Sequence, residues 1–263
     1  MIGNEITTTI VGVSFIFLMT TLGASFVFFM KKDVSPKANA VILGLAAGIM
    51  IAASIWSLLL PSIDQSSQLG KLSFLPASIG FVAGGLFLVL IDKIVPHFHA
   101  GVGQEEGLKN HLSKSSKMFL AVTIHNVPEG LAVGFAFGAA LASKDSAALL
   151  SALGLAIGIG IQNVPEGFAV ALPLRPEFGK TKAFLFGMGS GAVEPVAAVI
   201  GIFLAATLSQ IQPYLLSFAA GAMIFVVVED LIPDAKISEY SHLGTWGVMA
   251  GFVIMMILDV ALG

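Results

Sequence analysis

The strongest constraint on this chain is a phrase spelled twice inside long apolar runs. His125-Asn126-Val127-Pro128-Glu129-Gly130 and Gln162-Asn163-Val164-Pro165-Glu166-Gly167 share Asn-Val-Pro-Glu-Gly, 37 positions apart. Helical positions i and i+4 share a face. His125 and Glu129 therefore point together, as do Gln162 and Glu166, with Asn126 and Asn163 on the flanks. Each proline lacks an N–H, so the carbonyls of Ile124 and Ile161 lose their helical partners. The spacing predicts two broken helices that offer carboxylate, imidazole, amide and bare carbonyl oxygens at one depth. Such a set suits a cation.

The apolar runs define the class. Hydrophobic residues make up 56% of the chain and charged residues 11%, against roughly 25% charged in soluble domains. That balance predicts an all-α integral membrane protein, one transmembrane domain over 1–263, with the lipid bilayer as its solvent. Net charge is −3 and no basic block is present, so nucleic acid is not expected as a partner. The chain has no cysteine, which excludes disulfides and thiolate metal sites. The first apolar run lacks a basic leader and a small-residue cleavage site, and is read as a retained span.

Run length predicts eight spans, about 20 residues each being enough to cross: roughly 6–30, 38–60, 75–95, 117–142, 146–172, 182–208, 213–232 and 244–262. The longest connection, about 96–116, is polar and carries His97, His99, His111, Glu105 and Glu106. Eleven of the 13 Lys and Arg fall in alternate connections, and only Lys71 and Lys144 fall on the other side. By the positive-inside rule the His-bearing loop is cytoplasmic and both termini lie outside.

An internal repeat is visible. Ala46-Ala47-Gly48-Ile49-Met50 resembles Ala219-Ala220-Gly221-Ala222-Met223, offset by 173. Gly80, Ala83, Gly84 and Asp92 match Gly247, Ala250, Gly251 and Asp259, offset by 167. Spans 1–3 and 6–8 then read as related halves of a 3+2+3 bundle. Three spans per half give the halves opposite topology, a pattern of transporters with a midplane site. Spans 1 and 6 show little likeness to each other.

Each carboxylate at a span centre costs about 2.5–3.5 kcal/mol on insertion scales. Glu129, Glu166 and Glu194 all sit deep, and Glu194-Pro195 repeats the pattern of a carboxylate at a helix break. Protonated structural acids are the plain alternative; ion pairing is excluded because no Lys or Arg lies inside these spans. His125 is the one deep histidine, and a hydrogen bond to a neighbouring helix is its plain alternative. Imidazole with carboxylates and amides suits a borderline divalent ion, Zn²⁺, Fe²⁺, Mn²⁺ or Co²⁺, rather than Mg²⁺ or Ca²⁺. Met50 is either a soft ligand or a packing residue. Asp64 and Asp259 fall near the outer ends of spans; Asp92, His97, Glu229, Asp230 and Asp234 fall near the inner ends, as solvated caps or as groups that attract metal.

The paired motifs, Glu194-Pro195 and Glu229-Asp230-Leu231-Ile232-Pro233 resemble the ZIP (Zrt/Irt-like) family of metal transporters, and most closely its bacterial GufA-like branch. The resemblance implies a two-metal site bridged by Glu129 and Glu166. One metal would take His125, Glu129, Gln162, Glu166 and Met50; the other would take Asn126, Glu129, Asn163, Glu166 and Glu194. Asn163 stands where some relatives carry aspartate, which removes a charge from the second position. The resemblance also implies Ser57 and Asp64 near the outer mouth, with Asp92, His97, Met223, Glu229 and Asp230 toward the cytoplasm. It implies a frequently dimeric bundle, here a homodimer, in the plasma membrane (the inner membrane in a bacterium), moving metal inward by alternating access. Zinc is the leading substrate, with Cd²⁺, Fe²⁺, Mn²⁺ and Co²⁺ as further cargo. Ligands alone do not fix direction, so an exporter, a broad-range carrier and a proton-coupled carrier of another solute are the alternatives. An intramembrane metalloenzyme would need a motif such as His-Glu-x-x-His, which is absent from the sequence; no enzyme activity is expected.

Overall fold

The computed structural model describes residues 2–30, 34–95, 97–99, 104–106, 114–235 and 242–262. Helices carry the fold. They are α1 (Ile2–Ser25), α2 (Pro36–Ala53), α3 (Phe74–Ile94), α4 (Lys114–Ser143), α5 (Ser146–Gly191), α6 (Val193–Thr207), α7 (Gln212–Val226) and α8 (Leu243–Leu262). Among the described residues, seven helical segments are long and apolar enough to cross a membrane. The expected fifth and sixth spans form one of them, Ser146–Thr207, of 62 residues. The stretch expected to be a loop after 172 is helical as far as Gly179, where the backbone turns to φ 76, ψ 169. A second break separates Gly191 from Val193.

Two short strands lie within the connection expected as a polar loop about 96–116. Strands β1 (His97–His99) and β2 (Gln104–Glu106) pair antiparallel, with His97 opposite Glu106. The side chains of both strands, and all of His111, lie outside the described residues. Lys117, counted above with the loop charges, is buried in the first turns of α4.

Helix pairing follows the repeat. The dominant partners are α1 with α5, α4 with α6, α2 with α8 and α3 with α7, while α4 and α5 also meet. Two groups result: α1, α4, α5 and α6, and α2, α3, α7 and α8. Glycines set the approach of the helices, as is usual where lipid gives no hydrophobic drive for packing. A Cβ on Gly84 would strike the Phe218 carbonyl; one on Gly251 would strike the Leu45 carbonyl. Gly80 and Gly247 press in the same way on the carbonyls of Tyr214 and Val41. Every member of these pairs sits at the 173 or 167 offset of its counterpart.

The same defect also recurs in both halves. After α2 the helix widens over Ser54–Leu59, and the Leu60 N–H reaches back five residues to the Ile55 carbonyl. After α7 it widens over Val227–Leu231, and the Ile232 N–H reaches the Val227 carbonyl. A proline follows each wide turn, Pro61 and Pro233. It removes one more N–H from the i−4 ladder. Turns of this kind concentrate at functional sites.

Candidate metal site

Both motifs lie within continuous helix. Pro128 is inside α4, and Pro165 is inside α5. The expectation of two broken helices is corrected: the missing N–H groups are absorbed without ending either helix. Packing of the motif glycines explains how. Gly130 seats against the Glu194 backbone of α6, and Gly167 against the Thr20 backbone of α1. Each motif is held from behind by another helix at its sharpest point.

Asn126, Glu129, Gln162, Asn163 and Glu194 are wholly buried, and Glu166 is nearly so. Each side-chain amide donates to a protein oxygen. The Asn126 amide donates to the Ser190 carbonyl at 2.9 Å. Gln162 Nε2 donates to Asn163 Oδ1 at 2.7 Å. Asn163 Nδ2 donates to Glu194 Oε2 at 2.7 Å and to the Ile16 carbonyl at 3.3 Å. The Thr20 hydroxyl donates to Glu194 Oε1 at 2.7 Å.

The acceptors are what remain. Asn126 Oδ1, Glu129 Oε1 and Oε2, Gln162 Oε1 and Glu166 Oε2 are buried with no hydrogen-bond partner. A buried acceptor without a donor costs about 1–3 kcal/mol, and more when charged. Glu129 has Glu166 and Glu194 as its electrostatic neighbours, with Gln162 beside it. Five such oxygens on two adjoining helices form a site that lacks positive charge and has the chemistry to take it. Among the described residues no three of His, Asp and Glu gather closely enough to hold a metal by themselves. The cluster therefore combines two carboxylates with the amide oxygens of Asn126 and Gln162.

The remaining candidate residues separate. His125 shares the α4 motif, yet its Nε2 lies 3.2 Å from Asp230 Oδ2 on the wide turn after α7. The ring also lies within electrostatic reach of Glu166. His125 thus links the two helix groups. Glu194 has both oxygens engaged by Thr20 and Asn163, so two members of the second expected ligand set are tied to each other in this conformation. Met50 and Met223, equivalent in the repeat, are both fully buried. Ser57 donates to Asp259 Oδ1 at 2.8 Å, joining two residues placed apart by the sequence. Asp92 is buried; Asp64 and Glu229 are exposed.

Thr20 was missed. One signal for it existed: it lies 174 positions before Glu194, close to the repeat offset, in a span with no other resemblance. A lone threonine in an apolar span ordinarily bonds its own helix, and Thr20 is also within 3.2 Å of the Ile16 carbonyl.

Comparison with known proteins decides the family. A family model described as "ZIP Zinc transporter" matches residues 117–259. The human protein named zinc transporter ZIP11 is 35% identical over 97% of this chain and 97% of its own length. The chain belongs to the ZIP family. Zinc transporter GufA of Myxococcus xanthus is 35% identical over 93% of this chain and 94% of its own length. Zinc transporter ZIPB of Bordetella bronchiseptica is 34% identical over 94% of this chain and 79% of its own length. The ZIP match begins in α4 and ends at Asp259, so it contains both motifs, Glu194 and Asp230. Met50, Ser57 and Thr20 lie before it and are reached by the full-length likenesses. Membership places the chain among membrane transporters rather than enzymes.

Proposed function

We propose that this ZIP protein carries divalent transition-metal ions, zinc foremost, into the cytoplasm through the acceptor cluster on α4 and α5. The carrying observation is the set of five buried oxygens without donors. Glu129 and Glu166 supply charge, Gln162 and Asn126 supply neutral oxygen, and His125 supplies nitrogen when it leaves Asp230. The second position forms when Glu194 and Asn163 exchange their mutual hydrogen bond for a metal. Met50, buried on α2, adds a soft thioether to the first position. The zinc in the names of the related transporters supports zinc as cargo here, with Cd²⁺, Fe²⁺, Mn²⁺ and Co²⁺ as competitors.

The chain crosses eight times in this reading, as a 3+2+3 bundle with inverted halves. As one straight helix the 62-residue segment would run about 93 Å, three times a hydrocarbon core of about 30 Å; Gly179 supplies the reversal. Both termini are outside, and the protein works as a homodimer in the plasma membrane. Alternating access is supported by the grouping of helices. Every oxygen of the cluster belongs to the group α1, α4, α5 and α6. Ser57, Asp259, Met223 and Asp230 belong to the other group or to the turns extending it, and Asp92 lies on its α3. The first group carries the ion past the second, with Ser57, Asp64 and Asp259 toward the outer side and Asp92, His97, Glu229 and Asp230 toward the cytoplasm.

Zinc uptake into metal-starved cells tests this, wild type against Glu129→Ala, with Fe²⁺, Mn²⁺ and Cd²⁺ as competitors. Saturable uptake that disappears in the variant at equal expression is expected. Equal uptake in both would make Glu129 a structural acid.

A further inference from the structure

Two cavities away from the acceptor cluster remain unexplained by it. The wider, of about 360 Å³, is lined by Gln65, Gln68, Gln210 and Gln212 together with Ala139, Ser143, Ala148 and Pro213. The narrower, of about 90 Å³, shares Gln65, Ala139 and Ala148 and reaches Ser57. Three shared wall residues set them side by side, the broad one at the glutamines and the tight one at Ser57. Their walls come from the end of the α2 extension, the end of α4, the start of α5 and the start of α7. They therefore lie between the two helix groups. The three connections at their mouth hold only Lys71 and Lys144 as basic residues, which assigns this face to the outside.

Volume decides what each part admits. A water occupies about 30 Å³ of liquid, so a divalent ion with six waters needs about 180 Å³. The wide part accepts it with its shell intact. The narrow part has a quarter of the volume of the wide part, so room for a hydration shell shrinks toward Ser57. The lining is uncharged, but its amides are acceptors. Gln212 is mostly buried, and its Nε2 donates to the Ala205 carbonyl at 2.8 Å. The amide is thereby pinned, leaving Oε1 as the group free to accept. The deepest α4 wall residue, Ala136, stands seven positions from Glu129, about 10 Å along the helix.

We propose that Gln65, Gln68, Gln210 and Gln212 form an outer binding place for the hydrated divalent cation, and that the narrowing toward Ser57 strips part of its water. This rests on the transport reading above and adds where the ion first binds. Neutral oxygens hold a cation weakly, so the place recruits without trapping. Asp64, expected at the outer mouth, is exposed and is not part of the lining.

Two assays test it. Gln212→Leu and Gln65→Leu should each raise the KM for zinc by about threefold or more, the scale of one lost polar contact, with Vmax changing less. If Gln212→Leu does not fold, Gln65→Leu on the exposed rim decides. Ala139→Cys introduces a single thiol into a chain with none. Zinc should slow its modification by a membrane-impermeant thiol reagent added outside, and adding Gln65→Leu should weaken that protection. A KM within error of wild type in the folded glutamine variants, or protection that ignores Gln65, overturns the proposal. Labelling reads binding without transport, so it decides the vestibule separately. Wild-type uptake that needs Glu129 while these variants are silent removes only this inference; uptake indifferent to Glu129 removes the transport reading.

Discussion

At the residue scale, the site is an imbalance of donors and acceptors. Asn126, Gln162, Asn163 and Thr20 spend their donors on protein oxygens, and five acceptor atoms are left over. Thr20→Val removes one of the two donors that hold Glu194. It should lower the melting temperature of the metal-free protein in detergent by an amount equivalent to about 1–3 kcal/mol, and Thr20→Ser should restore most of it. A valine variant as stable as wild type would mean that Thr20 serves only its own helix. Much of this site was legible beforehand, because the motif repeats and its spacing puts amide and carboxylate on one face. The partners were not legible. Asp230 and Thr20 reach the site from helices distant in sequence, and a lone threonine or a helix-end aspartate carries no periodic signal. The helical position of His125 was readable; its contact with Asp230 was not.

At the element scale, the repeat is written in backbone contacts more clearly than in residue identity. Gly84 and Gly251 touch equivalent carbonyls in the two halves, so Gly84→Ala and Gly251→Ala should destabilise by similar amounts, about 1–3 kcal/mol. Gly85→Ala meets only the distant Phe225 ring and should be neutral, or stabilising by up to about 1 kcal/mol. Thermal unfolding of the three purified variants checks this, and a Gly85 variant as damaged as the others would contradict it. Spans 1 and 6 share little side-chain pattern, yet each offers its backbone to a motif glycine, Thr20 to Gly167 and Glu194 to Gly130. Likewise, apolar runs marked the helices well, but nothing in run length could distinguish a loop after 172 from helix that continues to one glycine. Gly179 sits in a conformation open essentially to glycine alone. Gly179→Ala should cost about 1–3 kcal/mol, read as a lower melting temperature; an unchanged value would mean that the reversal is not fixed there.

At the scale of the whole molecule, the helices divide into a group that owns the acceptor cluster and a group that borders its approaches, joined across the boundary by His125 and Asp230. The vestibule opens along the same boundary. Transport through the cluster requires that it hold a cation rather than serve as a set of neutral structural acids. Equilibrium binding of radioactive zinc to purified protein, wild type against Glu129→Ala with folding checked by gel filtration, addresses that directly. The account predicts saturable binding in the wild type and affinity at least roughly tenfold weaker in the variant. Equal affinity in a folded variant would contradict it.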